Sequence, residues 1–262
     1  MHFPFPLQFL KQEFLYLLGS LRVKLVLGVL IYSLLMVPFI LKKPPQEILK
    51  IFSIWFGNQD IDLKLFLVCW IDIVMNKILL ISSVILAGGL IADERSRGLL
   101  PVFLSKPVSH EGYFLGKVIA AALAYAALYA VTNLLGLIYF PFVVKGFQAD
   151  KFLCLAMVHM FAAMFGVMFC GTVAVFFKRK LSAMLAGFLL LNLFVGTAFL
   201  GFVNPKWMFI SYFNPVFYGV FIITKVDNLT VLDVLGPMLM LILFCALTVA
   251  VGAFKARHIS ER

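Results

Sequence analysis

Six stretches of about 20 mostly apolar residues limit what this 262-residue chain can fold into. A helix rises about 1.5 Å per residue, so each stretch matches the roughly 30 Å hydrocarbon core of a bilayer. Barrel strands would instead show alternating segments of about ten residues, whereas these stretches are continuous. The sequence therefore predicts an all-α membrane protein with six transmembrane helices, at residues 23–41, 71–92, 115–140, 152–177, 181–203 and 231–254.

The composition excludes an ordinary soluble domain. Hydrophobic residues make up 63% of the chain and charged residues 13%, whereas soluble domains are roughly 45–50% apolar. The linkers between the stretches are mostly short, so residues 1–262 are expected to form a single transmembrane domain. The four cysteines lie in or beside apolar stretches without CxxC spacing, which predicts buried side chains and no disulfide or metal site.

Lysine and arginine in the flanking segments predict the orientation, because cytosolic segments carry an excess of them. With the N-terminus inside, thirteen such residues fall on the cytosolic side and eight on the opposite side. Both termini are therefore expected in the cytosol. The formal net charge of +10 fits this asymmetry and contact with anionic lipid headgroups rather than nucleic acid, since the chain offers no soluble basic face.

Residues 1–22 precede the first span and place many apolar side chains at helical spacing, with Lys11 and Glu13 among the polar ones. This pattern predicts an amphipathic helix in the cytosolic interface. The alternative is the frayed start of the first span. After the first span, residues 42–70 mix aromatic and charged side chains, up to Trp70. This mixture is typical of a segment that rests on the outer membrane surface.

Residues 204–230, between the fifth and sixth spans, are polar at both ends and strongly aromatic in the middle. Pro205 and Pro215 interrupt them, so a further full span is not expected. We predict an outer re-entrant segment of two short helices, which is tolerated where protein covers the backbone. The alternative is an aromatic surface loop.

Polar side chains inside the spans are candidates for a translocation pathway or for hydrogen bonds between helices. Asp72 lies 21 residues before Asp93, about 31 Å along a helix, which favours anchoring at the outer interface over a role in the pathway. An isolated amide or imidazole in a bundle more often makes one interhelical hydrogen bond than binds a ligand. The candidates are Asp72, Asn76, Asn133, His159 and Asn192.

Residues 93–117, between the second and third spans, form a compact charged interruption. A mixed acidic and basic cluster at residues 93–97 ends the second span, and Gly98 permits a sharp change of direction. A short apolar patch follows, which Pro101 could open as a helix and Pro107 would end. Ser109 is a suitable N-cap for the next helix. The pattern predicts a short amphipathic helix that projects into the cytosol and can transmit force from a partner. The alternative is an ordinary charged hairpin loop.

Gly112 to Val118 only superficially resemble a phosphate loop. That loop needs four residues between its glycines and a Ser or Thr after the lysine, whereas this chain has three residues and then Val118. The chain itself is therefore not expected to bind ATP, and we predict no catalytic residues.

Two other classes of function remain as alternatives. A membrane enzyme acting on lipid or peptide would need converging catalytic groups, yet only four histidines occur and only His159 lies in a span. An ion-driven carrier would favour internal repeats and a midplane carboxylate, and the sequence shows neither clearly.

The order of features in residues 93–117 resembles the membrane subunits of type-2 ABC exporters, in particular the branch that includes the permease of nitrous-oxide reductase maturation. Lys11 and Glu13, together with Asn214-Pro215 before the last span, add to the resemblance. Leu99, Pro101 and His110 depart from the usual pattern. The matching positions of the loop are Glu94, Arg95, Gly98, Leu100, Leu104, Ser105, Pro107, Val108, Ser109, Leu115, Gly116 and Lys117.

This resemblance implies a permease that exports a substrate across a bacterial or archaeal plasma membrane. It implies a separate ATPase subunit that binds ATP and Mg²⁺, and a second permease copy in a homodimer. In the family, the loop after the second span and the N-terminal interface helix contact the ATPase. The resemblance thus assigns coupling to Glu94, Arg95, Gly98, Leu100, Leu104, Pro107, Ser109 and Lys117, with Lys11 and Glu13 on the interface helix.

Overall fold

The computed structural model describes residues 7–42, 61–98, 109–198 and 200–258, and these residues form helices and turns without a strand. A π-helical segment, Cys69–Met75, and two 3₁₀ turns, Pro205–Trp207 and Ile222–Asn228, interrupt the α-helices. The α-helices are α1 (Leu7–Gly19), α2 (Leu21–Lys42), α3 (Ile61–Val68), α4 (Asn76–Leu86), α5 (Leu90–Ser96), α6 (His110–Val143), α7 (Ala149–Val175), α8 (Lys180–Thr197), α9 (Leu200–Val203), α10 (Met208–Ser211), α11 (Pro215–Phe221) and α12 (Val231–Ala256).

Five helical runs among the described residues are long and apolar enough to cross a membrane: Leu63–Ser96, α6, α7, α8 and α12. α1 and Leu21–Val37 pass the same test only as a pair that is bent by 59°. The predicted all-α membrane architecture is therefore confirmed, with five spans, or six if the bent pair counts as one. The bend also supports a distinct N-terminal helix over the frayed start of the first span.

The second span begins earlier than predicted, because α3 already starts at Ile61 and residues 61–70 continue into the bundle. Trp70 is fully buried, and its Nε1 donates a hydrogen bond to Asn133 Oδ1 at 3.1 Å. Lys64 is also buried, with its Nζ 2.7 Å from Asp227 Oδ2. The predicted surface position of residues 61–70 was wrong because distant partners satisfy these polar groups inside the protein. Residues 43–60 lie outside the described part of the chain.

Small residues let α7 lie at the centre of the bundle, against α4, α6, α8, α11 and α12. A Cβ at Gly166 would lie 2.8 Å from Ser83 Oγ and 2.9 Å from Leu79 Cδ2 of α4. A side chain at this position would hold α4 away from α7, which explains the small residue. Four small residues that recur every four positions on α7 are all buried: Ala162, Gly166, Cys170 and Ala174.

Polar caps mark where several helices begin. Ser109 Oγ accepts a hydrogen bond at 3.0 Å from a backbone N–H in the first turn of α6, so the predicted N-cap is confirmed. Asn214 caps α11 in the same way, with Pro215 at its first position. Thr230 and Asp233 form a reciprocal capping box at α12. These side chains satisfy backbone N–H groups that the first helical turn leaves without a partner.

Residues 204–230 contain two short helices, α10 and α11, and two 3₁₀ turns. α11 is buried over residues 215–220. Asn214 Nδ2 donates a hydrogen bond to the carbonyl oxygen of Phe194 at 2.6 Å, which holds the start of α11 to α8. The predicted pair of short helices is therefore confirmed over an aromatic surface loop.

Gly252 lies where α12 crosses α6, and its replacement tests this packing. A Cβ there would overlap the buried ring of Phe114 and lie 2.8 Å from Thr172 Oγ1. Gly252→Ala is expected to lower the free energy of unfolding by about 1–3 kcal/mol, because an overpacked site forces neighbours to shift. Gly236→Ala, in the same helix, has nothing within 4 Å and should be neutral or slightly stabilising. Equal thermal midpoints of the two variants would contradict this packing.

Candidate functional site

A short helix at the end of the second span carries most of the charges of residues 93–98. The chain turns at residues 87–89, and α5 follows with its apolar residues buried. Gly98 has a φ of +67°, so the predicted change of direction at this glycine is confirmed. Residues 99–108 lie outside the described part of the chain, and with them Leu100, Leu104, Pro107 and the predicted coupling helix.

Lys117, in α6, joins three helices. Its Nζ lies 2.8 Å from Glu94 Oε1 of α5 and 3.0 Å from Glu13 Oε2 of α1. The lysine side chain is 3% exposed and the two carboxylates are 19% and 13% exposed, so water screens these ion pairs weakly. One ammonium can serve both carboxylates because it has three donors. The ion pairs therefore hold the end of the second span, the start of the third and the N-terminal helix together.

Asp93, next to Glu94, makes a second set of ion pairs. Its carboxylate lies 3.5 Å from Arg22 Nη2 of α2, 3.7 Å from Lys180 Nζ of α8 and 3.2 Å from Arg97 Nε. The lysine and Arg97 are 42% and 65% exposed, so these two pairs contribute little stability. Even so, the two adjacent carboxylates of α5 form ion pairs with three other helices, α2, α6 and α8, and Lys117 connects them to α1. We call Glu13, Asp93, Glu94 and Lys117 the charge cluster.

α1 also packs on α6 through an aromatic contact. A Cβ at Gly116 would lie 2.5 Å from Phe9 Cδ1, so glycine allows the ring to lie this close. The ring centroids of Phe9 and Tyr113 are 6.0 Å apart. Glu13 faces α6, whereas Lys11 is exposed. Of the two predicted residues on α1, Glu13 is thus the one that the structure brings to the charge cluster.

A cavity of about 390 Å³ is lined by Arg22 and by all four residues of the charge cluster. On α5, Glu94 Oε2 and Arg95 Nε are buried and have no hydrogen-bond partner among the described residues. A buried polar atom without a partner costs about 1–3 kcal/mol. These two atoms therefore point to further polar contacts at this end of the bundle.

His159, in α7, joins three helices inside the bundle. Its Nε2 lies 2.8 Å from Asn76 Oδ1 of α4, and its Nδ1 lies 3.0 Å from Tyr129 Oη of α6. A neutral ring protonated at Nε2 satisfies both contacts, because Nε2–H donates to the amide oxygen and Nδ1 accepts from the phenol. These contacts fit an interhelical hydrogen bond at His159. Tyr129 was not a sequence candidate, because a tyrosine in an aromatic-rich span gives no signal for its partner.

The other polar candidates have different surroundings. Asn133 accepts the indole N–H of Trp70 and donates to a backbone carbonyl of its own helix. Asn192 is exposed on α8, on the side that faces away from the helices packed against it. No hydrogen bond joins Asn192 to another helix among the described residues, so its assignment to a pathway or to an interhelical contact stays a prediction. The side chain of Asp72 lies outside the described part, and the described residues contain no His, Cys, Asp or Glu cluster suited to a metal ion.

A family model described as ABC-2 family transporter protein matches residues 42–257, which is most of the chain. The chain belongs to the ABC-2 family. It is therefore a multi-pass membrane permease subunit of an ABC transporter, in a family of transport subunits without an ATP-binding site of their own. Membership implies partnership with an ABC ATPase subunit. The matched residues of this ABC-2 permease start at the end of α2, so α1, which carries Glu13, lies outside them. No curated protein matches the chain.

Proposed function

We propose that this ABC-2 permease exports its substrate by means of a separate ATPase, which binds ATP and Mg²⁺ and docks against residues 93–117 and α1. Two permease copies form a homodimer, surrounded by lipid, in a bacterial or archaeal plasma membrane with both termini in the cytosol. The resemblance of the loop to the nitrous-oxide reductase maturation permeases supports a place near that branch. The observation that carries the proposal is the pair of ion pairs through which Lys117 joins α1, α5 and α6.

The charge cluster offers a physical route for coupling. Residues 99–108 are joined to α5 through Gly98 and to α6 through Ser109. A force on residues 99–108 therefore acts on both helices. Because Lys117 holds Glu94, the ends of the second and third spans move together under this force. ATPase closure shifts the permease between two conformations only if the ATPase binds one of them more tightly. We assign that state-dependent contact to Glu94 and Arg95, whose buried polar atoms are not fully satisfied by the described residues.

Co-purification with a candidate ATPase tests the proposal. The chain is expressed with an ABC ATPase that lacks spans of its own, and the complex is reconstituted in lipid nanodiscs. A stable complex, in which the permease changes the rate of ATP hydrolysis by the ATPase, supports the proposal. An ATPase that neither binds nor responds to the permease contradicts it.

Gly98→Val is expected to lower permease-dependent ATP hydrolysis by up to about tenfold. A non-glycine residue at positive φ costs roughly 1–2 kcal/mol. At position 98 this strain would change the direction in which the chain enters residues 99–108. Gly146→Val is the matched control, because Gly146 has a φ of +71° and equally open surroundings but lies between α6 and α7. The control should retain ATP hydrolysis. Equal rates in both variants would remove Gly98 from the coupling route.

A further inference from the structure

A cavity of about 710 Å³ opens between the first turns of α7 and α12, at the end of the bundle opposite the charge cluster. Further along, the two helices pack together, and Leu241 and Cys245 of α12 are buried. The volume lies within the roughly 300–1,000 Å³ of sites that bind small molecules. We call this cavity the α7–α12 cleft, lined by Asp150, Lys151, Cys154 and Met157 of α7, by residues 227–231 and by Leu235 of α12.

The α7–α12 cleft is charged at its opening and apolar further in. Asp150 and Lys151 lie in the first turn of α7, and Asp227 is 49% exposed just before α12. Met157 lies seven residues beyond Asp150, or about 10 Å along the helix. It forms the apolar walls with Leu235 and other aliphatic residues of α12. This gradient matches an amphiphile, because its headgroup can stay in water while its chain leaves it.

The charges at the opening indicate which headgroup fits. Two carboxylates and one ammonium line the α7–α12 cleft, and among the described residues Asp150 has no ion-pair partner, whereas Asp227 pairs with Lys64. A cation from the ligand therefore gains most near Asp150. The first turn of α7 has no side-chain cap, since Gln148 makes none, and its backbone N–H groups lie beside Lys151. These donors suit a phosphate. A headgroup with both a phosphate and an ammonium satisfies both signs of charge.

We propose that the α7–α12 cleft binds a phospholipid with a phosphoethanolamine headgroup. Its ammonium donates to Asp150 and Asp227, and its phosphate accepts from the first turn of α7 beside Lys151. One acyl chain covers Met157 and Leu235. A phosphocholine headgroup has the same net charge but no N–H donor, and a phosphoglycerol headgroup has no cation, so both fit less well. The inference depends neither on the homodimer nor on export.

Cys154 is a natural reporter of the α7–α12 cleft, because it lines the cleft and is partly exposed, whereas the other three cysteines are buried. The full chain is placed in nanodiscs of phosphatidylglycerol mixed equally with phosphatidylethanolamine or with phosphatidylcholine, and the rate of alkylation by N-ethylmaleimide is measured. The rate should be several times lower with phosphatidylethanolamine. Cys154→Ser gives the background. Equal rates in the two mixtures overturn the proposal.

Two further arms identify the source of the headgroup. Soluble O-phosphoethanolamine, added to the phosphatidylcholine mixture, should leave the alkylation rate unchanged, because a headgroup alone does not cover the apolar walls. Protection by it would overturn the assignment to a lipid. Nanodiscs of phosphatidylglycerol alone should give fast alkylation, since that lipid carries no ammonium. Protection there as strong as with phosphatidylethanolamine would overturn the proposed charge recognition.

Variants that leave the packed bundle intact test the same site by counting retained lipid in native mass spectra. Asp150→Asn should lower the retained phosphatidylethanolamine about two- to fivefold, as expected for a partly exposed ion pair. Leu235→Trp fills the α7–α12 cleft and should remove most of this lipid. Leu239→Trp is the matched control, because Leu239 is also exposed but lies one turn further along α12, outside the cleft. Equal lipid retention in the two tryptophan variants overturns the proposal.

Discussion

Lys117→Met is expected to lower the free energy of unfolding by about 3 kcal/mol and to abolish most permease-dependent ATP hydrolysis. The change leaves Glu13 and Glu94 close together without the cation that holds both, and breaking a buried ion pair costs roughly 3–5 kcal/mol. The lower end applies because the carboxylates remain 13% and 19% exposed. In a chain of this size, such a loss lowers the thermal midpoint by on the order of 5–10 °C.

Thermal unfolding in nanodiscs and ATP hydrolysis by the complex measure the two effects of Lys117→Met. Arg257→Met is the matched control, since it also takes a cation from a carboxylate, that of Glu111, but Arg257 is 53% exposed. It should change stability by less than about 1 kcal/mol. Neutralising Glu13 and Glu94 with Gln in the Lys117→Met background should restore most of the stability but not the coupling. Normal ATP hydrolysis in Lys117→Met would remove the charge cluster from the mechanism.

His159→Leu is expected to lower the free energy of unfolding by about 2–4 kcal/mol. It takes a hydrogen bond away from both Asn76 and Tyr129 inside the bundle, and each buried hydrogen bond left unmade costs about 1–3 kcal/mol. His258→Leu is the control, because His258 is exposed just beyond α12 and should change stability little. Thermal unfolding of both variants in the same detergent checks the difference.

A double-mutant cycle separates the hydrogen bond from simple packing at His159. Tyr129→Phe alone should cost about 1–2 kcal/mol, because His159 Nδ1 loses its donor. In the His159→Leu background the same change should cost close to nothing, since neither polar group is then left buried. Additive losses would show that the two side chains do not share this hydrogen bond.

Hydropathy was sufficient for the fold class, because an apolar run of about 20 residues in a bilayer must satisfy its backbone within a helix. Local signals were also reliable: Ser109 caps α6, and the positive φ of Gly98 agrees with the change of direction predicted there. Both predictions depended on residues only a few positions apart. The predicted start of the second span was too late in the chain. Lys64, which the sequence placed on the surface, is buried in an ion pair with a residue 163 positions away.

The sequence by itself determined that the chain is a helical membrane protein, where most of its spans lie and which loop carries the resemblance to transport subunits. Only the tertiary structure decided which charges meet: Lys117 and Glu13 are 104 residues apart, yet their side chains form a buried ion pair. It also decided that His159 is enclosed while Asn192 faces outward. Hydropathy depends on each residue's own chemistry, whereas a polar side chain's partner depends on which helices pack together, and no local pattern contains that information.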